Sequence, residues 1–195
     1  MATALAFPAQ AGGSAAAAPS DVILASARDG DRDALEEILR FIERRVYTLA
    51  LRLACDPAAA EDLAQEAMLK ICRFIGRYRV GSNFWGWVYR IVVNQAHDIR
   101  RAAKPTVPEL GEHPVPPNHD PVRKDQLEHV MNAMRQLTKK ERSALVLIDI
   151  EGYTSREAGR ILRCLPITVR TRAAVARRKV RTTLSRDYPE LREVL

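Results

Sequence analysis

Between Asp31 and Ala54 the apolar residues Leu35, Ile38, Leu39, Ile42, Val46, Leu49 and Leu53 recur in steps of three and four. That spacing places one stripe of a long amphipathic helix against a core. A shorter helix precedes it, DVILASARDG, with Ser20 as its N-cap and Gly30 closing it. Asp56 restarts the pattern as an N-cap, and Pro57 takes the first helical position, where its missing N–H costs nothing. In that third helix Leu63, Ala67, Ile71, Phe74 and Ile75 form the inner face, leaving Asp62, Gln65, Glu66 and Arg73 outside. After a turn at Gly81, Ser82 and Asn83, a fourth helix is expected from about 84 to 102, burying Trp87, Val88, Ile91, Val92 and Ile99.

The periodicity then stops. Residues 103–122 hold six of the eleven prolines and read as an extended linker, able to span roughly 60 Å. A second domain opens near Arg123 with LEHVMNAMRQL, continues through KKERSALVLIDIEG and ends in a pair of helices. VLIDI is short enough to belong to a buried helix, and neither repeats nor strand alternation appear. The expected fold is therefore all-α, with small helical domains at 20–102 and 123–195, a disordered tail at 1–19 and the linker between. The tail is rich in Ala, Gly, Pro and Ser, lacks a basic start and is broken by Pro8, Gln10, Gly12 and Gly13, unlike a signal peptide. No run approaches the roughly 20 consecutive apolar residues that insertion into a bilayer requires.

In the terminal pair, Ser155 to Leu162 is the supporting helix, Arg163 to Leu165 the turn, and Pro166 opens a second helix. That helix carries Arg170, Arg172, Arg177, Arg178, Lys179, Arg181 and Arg186, with no acid between Glu157 and Asp187. Its apolar side is Ile167, Val169, Ala173, Ala176 and Val180. A helix with only cations suits a densely negative partner, and a helix-turn-helix suits DNA. Thr168, Arg170, Thr171 and Arg172 would lie nearest the bases, and Arg177 and Arg178 would pair with phosphates. A solvated basic helix packed on its neighbours is the competing account.

Net charge, +7, says only that an acidic partner is plausible. Its distribution says more, because acids gather at Asp29, Asp31, Asp33, Glu36, Glu37, Glu61, Asp62 and Glu66, so one surface should meet something other than DNA. The acidic face Asp62, Gln65, Glu66 suits a basic groove on a protein, although such faces are commonly just solvated. Six of the chain's aromatic residues lie between 74 and 89, interleaved with Arg73, Arg77, Arg79 and Arg90. Rings beside cations can stack on unpaired bases. Phe74 and Trp87 fall on apolar stripes and are expected in the core, whereas Phe84 and Trp85, beside the Gly81 turn, are expected to be exposed. Arg90, Asn94, His97 and Arg101 share one polar helical face that could follow a strand or simply face water.

Cys55, Cys72 and Cys164 form no CxxC pair, which argues against a disulfide framework or zinc site and fits a reducing cytoplasm. His97, His113, His119 and His129 are too far apart for a metal-ligand pattern. No catalytic triad, phosphate loop or paired-carboxylate site is present, so neither an enzyme nor a cofactor is expected.

The order of these pieces resembles bacterial RNA polymerase sigma factors of the extracytoplasmic function (ECF) group, within the sigma-70 family. AEDLAQEAML is similar to the family's core-polymerase-binding helix, FWGWVYRIVVNQAHDIRR to its promoter-melting segment, and LTKKERSALVLIDIEGYTSREAGRIL with PITVRTR to its minus-35-reading domain. The resemblance implies a sigma region 2 domain and a sigma region 4 domain. Asp62, Gln65 and Glu66 would contact the clamp helices of the polymerase's large beta-prime subunit. Arg79, Ser82, Asn83, Phe84, Trp85, Arg90, Asn94, His97 and Arg101 would serve the minus-10 element, the loop from Arg79 to Asn83 capturing a flipped base. Thr168, Arg170, Thr171, Arg172, Arg177 and Arg178 would serve the minus-35 element. Val169 is expected to pack instead, and an anti-sigma factor is an expected further partner.

The chain departs from the family's pattern at Trp85, where a small or polar residue is common, and at the helix-turn-helix corner, where Arg163 and Cys164 replace glycine. Positive φ is costly without glycine, so a different turn geometry is expected there. Pro166 also sits one place later than usual. Two rival functions remain: a self-contained helix-turn-helix regulator with a sensing or oligomerising first domain, which needs no polymerase, and an adaptor that does not touch DNA.

Overall fold

The computed structural model describes residues 17–98 and 121–188, with side chains in the second stretch from 128 onward. Every regular element among them is helical: α1 (Asp21–Arg28), α2 (Arg32–Ala54), α3 (Pro57–Phe74, followed by a 3-10 turn), α4 (Phe84–Asp98), α5 (Pro121–Arg135), α6 (Lys139–Leu145), α7 (Ser155–Leu162) and α8 (Pro166–Asp187). Helix starts follow side-chain chemistry. Ser20 Oγ accepts from Ile23 N, Asp31 from Asp33 N and Ala34 N, and Asp56 from Ala59 N. Thr138 with Glu141, and Thr154 with Glu157, form reciprocal capping boxes on α6 and α7.

In the first domain α2 is central, packing on α1, α3 and α4. Ile38, Ile42, Val46, Leu49 and Leu53 of its predicted stripe are buried, while Leu35 and Leu39 are half-covered. In the second domain α8 packs on α5, α6 and α7 through Val169, Ala173, Ala176, Val180 and Leu184. Burying one such branched side chain is worth about 1.5–3 kcal/mol, so these stripes fix which face each helix turns outward. Ile167 leaves the predicted stripe and is 55% exposed.

VLIDI continues α6 as a π-helical turn, Val146–Ile150, in which Glu151 N bonds to the Val146 carbonyl. The wider turn shifts the register at the helix end, and Glu151 is thereby directed toward the first domain. Contacts between the domains run from α2 and α4 to α6 and α7.

The α4 stripe differs from the expected one. Val88 and Val92 are buried, Trp87 and Ile91 only partly, and Ile99 lies outside the described residues. Phe84, Trp85, Tyr89 and Val93 are buried instead. Helix α4 is enclosed by α2 and α3 on one side and by the second domain on another, so its covered arc is wider than a single amphipathic stripe.

Candidate nucleic-acid and polymerase interfaces

On α3 the buried line Ala60, Leu63, Ala67, Ile71 turns Asp62, Gln65 and Glu66 to solvent. Leu69 joins them on the same face, 61% exposed. Sequence reasoning passed over it, although its position off the apolar stripe was a readable signal.

The turn before α4 is built by its own polar groups. Tyr78 Oη donates to the Ser82 carbonyl (2.8 Å), and Asn83 Oδ1 accepts from Gly86 N (2.8 Å), capping the helix. Arg79, Ser82 and Asn83 are exposed. A cavity of about 270 Å³ lies between this turn and the start of α1, lined by residues including Pro19, Tyr78, Ser82, Asn83 and Phe84.

Phe84 and Trp85 are each only 3% exposed, which corrects their expected exposure. Trp85 lies under the Arg45 guanidinium (4.2 Å to the ring centroid), near Phe41, and its indole N–H donates to the Ala17 carbonyl (2.8 Å). Proximity to a glycine turn suggested exposure, but Trp85 falls on the side of α4 that meets α2, and Phe84 packs among Tyr78, Trp85 and Trp87. Phe74 and Trp87, expected in the core, are instead half-exposed at the domain's edge. Arg77 covers Phe74, at 5.7 Å from its centroid.

The polar face of α4 is occupied from within the molecule. Arg90 Nη2 donates to the Arg160 carbonyl (2.8 Å), and His97 Nε2 lies 3.0 Å from Ser143 Oγ. Burial holds the His97 imidazole below its ordinary pKa, and the Lys139 and Lys140 ammonium groups act in the same sense. Asn94 is half-buried, and Arg101 lies outside the described residues.

Helix α8 presents a different surface. Ile167, Arg170, Thr171, Ala174, Arg178 and Arg181 are exposed at spacings that form one face, opposite the buried stripe. Thr168 and Arg172 are half-buried on its flank, Arg172 Nη1 touching Cys164 Sγ at 3.7 Å. Val169 is fully buried, as expected. Arg177 is bonded to Asp149 (3.0 Å) and Lys179 to Glu141 (2.8 Å), so these two cations tie α8 to α6 and the π-helical turn that continues it. The Lys179 ammonium and the Thr138 cap hold the Glu141 carboxyl below the usual range.

The corner before α8 also corrects the expected change of geometry. Arg163 adopts the left-handed conformation (φ 51°, ψ 48°), so the turn is made without glycine and at a steric cost. Gly159 accommodates it, because a Cβ there would stand 2.8 Å from the Cys164 carbonyl oxygen.

A helix-turn-helix with an acid-free outer face, set on an all-helical two-domain chain, defines a DNA-reading transcription protein. The Sigma-70 region 2 family model matches residues 41–106, and the Sigma-70, region 4 model matches 127–180. RNA polymerase sigma-H factor of Pseudomonas aeruginosa is 30% identical across 84% of this chain and 91% of its own length. ECF RNA polymerase sigma factor SigM of Mycobacterium tuberculosis is 33% identical across 81% of each chain. The fold is shared with CnrH, solved in complex with the cytosolic domain of CnrY (TM-score 0.63, 20% identity, 86% of this chain and 97% of that one). It is shared too with sigma factor RpoE of Bartonella quintana, solved with the anti-sigma factor NepR (TM-score 0.60, 21% identity, 77% and 96%).

The chain belongs to the ECF group of the sigma-70 family. As a sigma factor it binds core RNA polymerase and directs promoter-specific transcription initiation, which decides against the self-contained regulator. Sigma factors are initiation factors rather than enzymes. Among the described residues no helix is long and apolar enough to cross a membrane.

Proposed function

We propose that the three exposed surfaces divide the work of initiation. The α3 face of Asp62, Gln65 and Glu66, with Leu69 at its edge, docks on the clamp helices of the beta-prime subunit. The turn carrying Arg79, Ser82 and Asn83 receives an unpaired minus-10 base in the adjoining cavity, and Arg90, Asn94, His97 and Arg101 follow the strand. Phe84 and Trp85 support that turn from beneath. The α8 face reads the minus-35 element in the major groove: Arg170 and Thr171 meet base edges, Thr168 and Arg172 flank them, and Arg178 reaches phosphate. Arg177 serves DNA only after exchanging Asp149 for a phosphate.

The observation that carries this reading is the acid-free exposed face on α8, opposite a fully apolar buried one. Its units are a tail at 1–19, region 2 at 20–102, a linker at 103–122 and region 4 at 123–195; α5 starts at Pro121, two residues ahead of the last boundary. The chain works in the cytoplasm by binding alone, without cofactor or metal. An anti-sigma factor is a further proposed partner, on the analogy of the RpoE complex with NepR.

Charge reversal at Asp62 and Glu66 tests the polymerase face. Co-purification with core polymerase should be lost while circular dichroism stays unchanged; retained binding would refute that docking face.

A further inference from the structure

The open face of α8 carries one side chain that neither the core nor the charge pattern explains. Ile167 is 55% exposed at the second helical position, after Pro166, and takes no part in the apolar core that Val169 and Ala173 join. Stability gains little from it there, since an exposed β-branched residue buries little surface and is a weaker helix former than alanine. A lone surface isoleucine is ordinary in itself; its surroundings are what single it out.

Ile167, Thr171 and Ala174 follow one another at four and three residues, so they form one line along the exposed face. Thr171 Oγ1 donates to the Ile167 carbonyl (3.0 Å), which spends its hydroxyl proton inside the helix. Ala174 adds only a methyl group. Along this line no side-chain N–H or O–H is left for a ligand until Arg178. Arg170 stands beside the line and Arg178 at its far end, both exposed, and no acid occurs between Glu157 and Asp187.

A strip that is apolar at the helix N-terminus and bordered by arginines fits one feature of the DNA major groove. The C5 methyl of thymine is the apolar group that a base pair presents there, and the first turns of a recognition helix are the part that reaches base edges. An acid-free cationic border matches a polyanion better than it matches a protein surface, whose charges are mixed.

We propose that Ile167 is a specificity-determining residue that reads the methyl group of a thymine in the minus-35 element, with Thr171 and Ala174 excluding water from the contact. This rests on the reading of α8 as the minus-35 helix. Discrimination comes from burial rather than from hydrogen bonding. The thymine methyl and the isoleucine side chain leave water together, so uracil in that place loses the contact while the phosphates stay engaged. One buried methyl corresponds to about fourfold in affinity.

The test uses the full chain assembled with core polymerase, as wild type, Ile167→Ala and Arg170→Ala, on duplexes built from a promoter it transcribes and randomised across the minus-35 element. Sequencing of the bound fraction reads base preference at each position, and fluorescence anisotropy then compares thymine with deoxyuridine in the selected duplex. Wild type should prefer thymine at one position, and Ile167→Ala should lose that preference while keeping the one that Arg170→Ala loses. Deoxyuridine should weaken wild type about fourfold and leave Ile167→Ala unchanged. Preferences kept in full by both variants would overturn the minus-35 reading of α8 and the thymine contact with it. A preference lost only in Arg170→Ala, or equal binding of thymine and deoxyuridine by wild type, would overturn the role of Ile167 and leave the α8 reading standing. Weaker co-purification of Ile167→Ala with core polymerase, with base preferences intact, would make the residue a protein contact and overturn the thymine contact. Circular dichroism checks that the variant folds, and the deoxyuridine comparison on wild type needs no variant.

Discussion

Helices α4 and α8 each carry basic residues on a polar face, yet only one of those faces is open. On α8, Arg170, Arg178 and Arg181 point to solvent; Arg177 and Lys179, which pair with acids of the α6 segment, lie at the sides, and Arg186 pairs with Asp187 at the helix end. On α4, Arg90 and His97 bond to the second domain, and Asn94 is half-covered. The same residue chemistry is therefore ready for a ligand in one place and already satisfied in the other. A polar stripe identifies a surface able to bind; its present partner depends on what else in the chain can reach it.

The largest effect is expected beside the closed face, where the second domain holds the C-terminus of α2. Arg142→Ala strips charged hydrogen bonds from the carbonyls of Met134, Leu137 and Leu53, leaving buried acceptors without a donor. The expected loss in urea unfolding is about 3 kcal/mol or more; a change under about 1 kcal/mol would mean that water replaces the guanidinium at little cost.

Arg170→Ala addresses the open face. Run-off transcription should fall about tenfold at promoters that depend on the minus-35 element, corresponding to roughly 1–3 kcal/mol, with thermal stability unchanged. Equal activity of the variant across minus-35 sequences would remove Arg170 from base reading.

The smallest expected effect is at the corner. Arg163→Gly relieves a left-handed residue and should raise stability by about 1 kcal/mol, read as a higher melting temperature, without altering the α8 face. A drop in stability would show that the arginine side chain contributes more than its backbone costs.

Much of the fold was legible because caps and periodicity are local. Ser20 and Asp56, read as caps from the sequence, cap α1 and α3, and the α2 and α8 stripes were readable from spacing; Asp31, Thr138 and Thr154 cap α2, α6 and α7 by the same local chemistry. The acids on α3 and the arginines on α8 follow directly, since a helix that buries one face must expose the other. Where spacing misled, neighbours distant in sequence were responsible. Trp85 is covered by Arg45 and Phe41, whereas Trp87, with an equally apolar position, stays at an edge. Ile167 precedes the buried line of α8 and remains exposed, a polarity violation that a helical wheel anchored on Val169 would have revealed.

The sequence by itself determined the helices, their two groups, the acid-free α8 face and the acidic α3 face, because each depends on interactions within a few turns of the chain. Only the tertiary structure decided which aromatic rings are buried, that Arg163 bears a left-handed turn, and that Glu151 meets Arg45, Arg52 and Tyr89. The Glu151 cluster joins segments as far apart as Arg52 and Glu151, 99 residues, and no local pattern encodes which buried charge will find which partner.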